Sequence, residues 1–196
     1  MAEISLELIK QLRERTGVGM MDCKKALEES NCDIDKAIEL LRKKGAAIAQ
    51  KRSGQETSEG LIYSYIHPGS KVGVLVEINC ETDFVARTED MIKFAADVAM
   101  QVAAFRPICV TPEQVDTELI EKEKNIFREQ LKGKQPNIVD QIIEGKLQKY
   151  YTEVCLLNQP FIKNDKVTIH DMLKDLIAKM GENIKIKRFI RYEIGA

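Results

Sequence analysis

Glu77-Ile78-Asn79-Cys80-Glu81-Thr82-Asp83-Phe84-Val85-Ala86-Arg87 is the stretch whose reading decides the fold. It begins as the end of a β-strand and finishes in a polar-aromatic tip, Thr82-Asp83-Phe84, ahead of a long helix. Upstream, Val72, Val74, Val76, Ile78 and Cys80 alternate with Gly73, Leu75, Glu77 and Asn79, which predicts a strand over 71–80 with the first set on the core. Gly60 to Ile66 predicts a partner strand, joined through the turn sequence His67-Pro68-Gly69-Ser70. Downstream, Met91, Phe94, Ala95, Val98, Val102 and Phe105 follow helical spacing until Pro107. A loop ending a rigid strand can offer a carboxylate and a phenyl ring to a partner with little loss of order. Nothing in it is arranged to break a bond, so the expected mode of action is pressure on another protein.

Outward from this hairpin, residues 1 to about 45 predict three short helices. Leu8, Ile9 and Leu12 stripe the first, which Thr16-Gly17-Val18-Gly19 ends; the second runs from Met20 to Glu29. Asp33 caps the third, with Ile34, Ala37, Ile38 and Leu41 at helical spacing and Gly45 closing it. So small a bundle buries little surface and should lean on a neighbour. The polar run Ala46 to Glu59 contains Ser53-Gly54, which reads as a linker, giving a three-helix domain over 1–54 and a core over 55–196. Thr111-Pro112-Glu113-Gln114 reads as a capping box that starts another helix. A charged helix over 118–132, the break Gly133-Lys134-Gln135-Pro136, and a helix carrying Ile138, Val139, Ile142, Ile143 and Leu147 predict a helical arm near 118–150. Val154 to Phe161 is apolar enough to dock on the core. Thr168 caps a helix with Leu173, Leu176, Ile177 and Met180, ended by Gly181. The last strand sets Ile184, Ile186, Ile190, Tyr192 and Ile194 on one face, with a bulge or partner contact at Arg188-Phe189. Three strands in one antiparallel sheet covered by helices make an α+β fold.

Composition narrows the function classes. With 30 basic and 31 acidic residues the net charge is −1, so no global basic field favours nucleic acid, and no direct nucleic-acid partner is expected. The longest apolar run, Phe94 to Phe105, contains Asp97, and the N-terminus lacks the order of a signal peptide; neither a membrane span nor a leader is expected. Cys23, Cys32, Cys80, Cys109 and Cys155 are too widely spaced for a zinc knuckle or a dithiol motif, and read as reduced thiols of a cytoplasmic protein. His67 lies in a turn and His170 near a helix start, neither with a Ser, Cys or acid arrangement. No catalytic residue, metal site or cofactor is expected, and the chain does not read as an enzyme.

The run Leu12-Arg13-Glu14-Arg15-Thr16-Gly17-Val18-Gly19-Met20-Met21-Asp22-Cys23-Lys24-Lys25-Ala26-Leu27 resembles the first signature of the bacterial elongation factor Ts family, and residues 77–87 resemble the second. Asn158-Gln159-Pro160-Phe161 and Arg188-Phe189-Ile190-Arg191-Tyr192-Glu193 are similar to the family's ending, so the likeness spans essentially the whole chain. It implies a guanine-nucleotide exchange factor that binds elongation factor Tu·GDP, promotes loss of GDP and Mg²⁺, and leaves when GTP binds. The helical head resembles a ubiquitin-associated-like domain that docks on Tu, which assigns partner contacts to Arg13, Val18, Gly19, Met20 and Met21. Thr82, Asp83, Phe84 and Val85 match the family element that inserts near the partner's magnesium site. Longer members carry two core halves and a coiled coil; this chain resembles the short form, which implies a homodimer in a two-to-two complex with Tu. The final strand and the segment around Phe161 are the candidate dimer surface.

Two rival classes remain at this stage. A ubiquitin-associated-like adaptor without exchange activity needs only the three-helix head. A thiol enzyme using Cys80 or Cys23 needs a paired base and an oxyanion cradle, and neither is found. Read alone, a strand-end phenyl ring is core packing, and Met20 and Met21 fit a core or a soft binding surface equally well. Only the resemblance turns Phe84 outward.

Overall fold

The structure, a computed structural model, describes residues 4–131 and 136–195, with side chains in the second stretch described from 139 onward. Helices α1 (Leu6–Thr16), α2 (Met20–Glu29) and α3 (Ile34–Arg52) come first. Strands β1 (Glu59–Ile66) and β2 (Val72–Cys80) follow, then the short α4 (Asp83–Ala86) and long α5 (Glu89–Phe105). The arm is α6 (Thr117–Gln130) and α7 (Pro136–Val154). Beyond it lie β3 (Pro160–Phe161), β4 (Asn164–Thr168), α8 (Ile169–Met180) and β5 (Ile184–Glu193). The main sheet is three-stranded and antiparallel in the order β1-β2-β5, and β3 and β4 form a separate two-stranded ribbon. The fold class is α+β, as the change of periodicity predicts.

The chain forms two compact units. The first combines Met1–Gly60, Asn79–Met91 and Met172–Lys185; the second combines Leu61–Ile78, Ile92–Asp171 and Ile186–Ala196.

In the first unit, the three helices pack Ile9, Leu12, Cys23, Ala26, Leu27, Ala37 and Leu41 into a core of their own. Their ends are stopped by local chemistry. Ser5 Oγ accepts from the Leu8 amide, Gly17 takes a left-handed φ of 69° and donates to the Arg13 carbonyl, and Asp33 accepts from the Asp35 and Lys36 amides. Gly45 does not close α3, contrary to the sequence reading; the helix continues to Arg52. A Cβ at Gly45 would stand 2.8 Å from the Ala178 Cβ. The glycine therefore permits α3 and α8 to approach closely rather than ending a helix.

In the second unit, β2 alternates as predicted, with Val74, Val76 and Ile78 buried. Helix α5 buries Phe94, Ala95, Val98, Ala99, Val102 and Ala103, but its predicted stripe residue Phe105 is 45% exposed. The alanines four residues apart complete the buried face in its place. The capping box at Thr111 starts only a single 3₁₀ turn, Pro112–Gln114. Gln114 turns its side chain back to the Val110 amide, and α6 starts later behind Asp116, whose carboxylate accepts from the Glu118 amide. The arm packs Leu131, Ile143 and Leu147 with Phe127 and Val139. Gly133, Lys134 and Gln135 of the expected break lie outside the described residues, as does the side chain of Ile138.

The apolar segment after α7 is buried at Cys155, Leu156, Gln159 and Phe161. Gln101, itself fully buried, fastens it: its amide donates to Gln159 Oε1 and the Pro160 carbonyl, and its oxygen accepts from the Ile162 amide. In β5, Ile184 and Ile186 are buried, whereas Ile190, Tyr192 and Ile194 are exposed, so the five do not share a core face as expected. Arg188 bonds Glu77 at 2.6 Å, which aligns this end of β5 with the β2 positions facing away from Val74 and Val76.

Candidate functional site

The tip is built where β2 runs out. Cys80 is buried, and its thiol donates to the Thr82 carbonyl at 3.1 Å; desolvation pushes its pKa up, which disfavours the thiolate. Thr82 keeps an extended backbone (φ −128°, ψ 154°) and the chain then turns through α4. Within α4, Val85 and Ala86 face inward at 8% exposure, while Phe84 stands 80% exposed. The ring is the most exposed large apolar side chain among the described residues. Asp83 pairs with Arg87 at 2.9 Å, a surface ion pair in which both partners remain open to solvent. Thr88 closes the turn, donating to the Val85 carbonyl and accepting from the Met91 amide at the start of α5.

Polar bonds from distant sequence hold this element. Glu182 accepts from the Thr82 amide at 3.0 Å and from its hydroxyl at 2.7 Å. In return, Glu81 accepts from the Asn183 amide at 2.6 Å and pairs with Arg52 at 3.3 Å. The Asn183 side chain donates to the Ser53 and Gln55 carbonyls, just past the end of α3. All of these groups belong to the first unit. Sequence reading did not single out Arg52, Glu81, Glu182 or Asn183 for this task. About a hundred residues separate Thr82 from Glu182, and no local pattern signals a pairing at that range.

The head residues gather at the α1–α2 turn. Arg13 is exposed, Val18 and Met20 are half-buried against the head core, Gly19 is the N-cap of α2, and Met21 is 68% exposed. The two methionines thus divide the alternatives the sequence left open: Met20 packs and Met21 faces out. Cys23, beneath them, is fully buried, and desolvation raises its pKa. Among the described residues no group of three His, Cys, Asp or Glu is arranged to hold a metal, and no helix is long and apolar enough to cross a membrane.

Within the first unit, a solvent-facing phenyl ring on a clamped strand end and an exposed methionine on the helical head are the two apolar side chains presented at the predicted positions. The elongation factor Ts family model matches residues 9–196. The chain belongs to the elongation factor Ts family. The family's protein from Carboxydothermus hydrogenoformans is 56% identical over 98% of this chain and 89% of its own length. That from Thermotoga petrophila is 55% identical over 98% and 97%. That from Desulfosudis oleivorans is 52% identical over the full length of both. Members of this family are translation elongation factors, and that role in protein synthesis is the chain's own.

Proposed function

We propose that the chain is a guanine-nucleotide exchange factor for elongation factor Tu, and that Thr82, Asp83, Phe84 and Val85 form its working tip. The observation that carries this reading is the Phe84 ring, held outward at 80% exposure on a short helix whose neighbours Val85 and Ala86 are buried. Exchange requires no covalent step. If the factor binds empty Tu more tightly than Tu·GDP·Mg²⁺, linkage makes GDP and Mg²⁺ bind the complex more weakly by the same factor. Burying one phenyl ring supplies about 1.5–3 kcal/mol, or one to two decades of affinity. That is too little alone, so the head, through Arg13, Val18, Gly19, Met20 and Met21, holds the partner while Phe84 wedges and Asp83 disturbs the metal's surroundings. Release of labelled GDP from Tu tests it: the protein should accelerate release, and Phe84→Ala should slow the accelerated rate. Equal rates with and without the protein would reject the reading.

A second copy of the chain is the partner proposed for the outer face of the sheet. Ile62, Ile66, Leu75, Ile190, Tyr192 and Ile194 are all exposed there. A Cβ at Gly73 would meet Ile66 Cδ1 at 3.1 Å, which sets β1's exposed isoleucines on the same face as Leu75. An unpartnered apolar surface on three adjacent strands favours association. Phe161 is buried within the chain and belongs to no such surface, so the final strand is the better of the two dimer candidates. Sedimentation should give a dimer that Tyr192→Glu weakens.

A further inference from the structure

Thr82 occupies the N-cap of α4, where a threonine hydroxyl ordinarily accepts from an amide two or three residues on. It makes no such bond. The hydroxyl instead donates to Glu182 Oε1 at 2.7 Å, and the Thr82 amide donates to Oε2 at 3.0 Å. Both oxygens of one carboxylate are thus spent on one residue, which fixes Thr82 in orientation as well as position. A four-residue helix cannot hold itself, so Phe84, two residues on, takes its direction from what holds Thr82 and from the buried Val85 and Ala86.

Glu182 is itself held. Gly181, with φ 71°, ends α8 by donating to the Ile177 carbonyl. Asn183 is almost fully buried and bonded to Ser53, Gln55 and Glu81. The carboxylate therefore stands between two locked neighbours.

We infer that Glu182 is a positioning residue for nucleotide exchange: its carboxylate clasps Thr82 and so aims Phe84 before the partner arrives. This rests on the exchange reading above. Without the clasp, ordering the tip is deferred to the moment of binding and weakens the productive complex. Glu182 touches no partner in this role; it acts by holding Thr82 and, through it, the phenyl ring.

The test measures GDP release from Tu with wild type, Glu182→Ala, Glu182→Gln, Phe84→Ala and the Glu182→Ala/Phe84→Ala double variant, with thermal unfolding alongside. Glu182→Ala should slow release about tenfold at sub-saturating factor, the scale of losing charge-assisted hydrogen bonds. Glu182→Gln should recover most of the rate, because its oxygen can accept from the amide while its NH₂ donates to the hydroxyl oxygen. In the Phe84→Ala background, Glu182→Ala should change the rate within about twofold, since the ring it aims is gone. A wild-type rate for Glu182→Ala, a glutamine variant as slow as the alanine one, or effects that multiply in the double variant would each overturn the inference. If Phe84→Ala alone releases GDP at the wild-type rate, the exchange reading of the tip fails instead. Should Glu182→Ala not fold, Thr82→Val removes only the hydroxyl arm and must slow release for the inference to stand.

Discussion

The head and the tip both present apolar side chains to solvent, yet they are held by opposite means. The head wraps seven buried residues into its own core, and Met21 rides on that rigid bundle. The tip has a helix of four residues and takes its order from Glu182, Asn183 and Arg52, all distant in sequence. Apolar packing is non-directional and spread over many atoms, so it tolerates small losses. Hydrogen bonds are directional and few, so a single lost acceptor can misaim a ring without unfolding anything. On the exchange reading proposed above, the packed head supplies the grip and the hydrogen-bonded tip the action.

The comparison predicts a division between stability and exchange. Leu27 is fully buried in the head, and Leu27→Ala should cost about 2–5 kcal/mol in urea unfolding. A near-neutral result would mean the head lacks a core of its own. Phe84→Ala should do the reverse. Stability should stay within about 0.5 kcal/mol, while accelerated GDP release falls by about one to two decades. A large fall in thermal midpoint would show the ring to be packing after all.

Gly45→Val places a branched side chain where the Ala178 Cβ already stands at 2.8 Å. Overpacking between α3 and α8 should cost about 1–3 kcal/mol, read as a lower denaturant midpoint. No shift would remove close approach as the reason for the glycine. The smallest effect is electrostatic. The Lys36 amide, bonding the Asp33 cap, holds that carboxyl below its ordinary value of 3.8. A depressed carboxyl stabilises the fold above its unfolded pKa and loses that contribution as pH falls through the folded one. Stability should therefore decline below about pH 4 more steeply than in Asp33→Asn, which keeps a capping oxygen but does not titrate. Identical acid limbs would show that the cap carries no charge-dependent part.

The legible parts of the molecule are those in which neighbours in sequence settle the matter. Alternation in β2, the stripes of α1 to α3, the arm and the Thr168 cap needed only local periodicity and capping chemistry. The cap at α8 is reciprocal, with Asp171 accepting from the Thr168 amide and hydroxyl and the Asp171 amide donating back. Local signals misled where a distant residue decided the outcome. Gly45 looked like a helix stop because the sequence does not display Ala178. The Thr111 box looked like a helix start because a glutamine's choice between the cap amide and Val110 depends on the path of the chain. The exposed end of β5 carries isoleucines at core spacing, which sequence cannot distinguish from a core strand.

By itself, then, the sequence determined the three head helices, the hairpin that ends in Thr82-Asp83-Phe84, the long helix after it and membership of a translation-factor family, but neither α4 nor the β3–β4 ribbon. What it determined follows from short-range sterics, hydrophobic period and the identity of contiguous residues. Tertiary structure alone decided that Phe84 faces out while Val85 faces in, and that Thr82 gives its hydroxyl to Glu182 rather than to its own helix. Side-chain direction and long-range hydrogen bonds depend on which segments meet in space, and about a hundred residues of chain separate the two halves of that clasp.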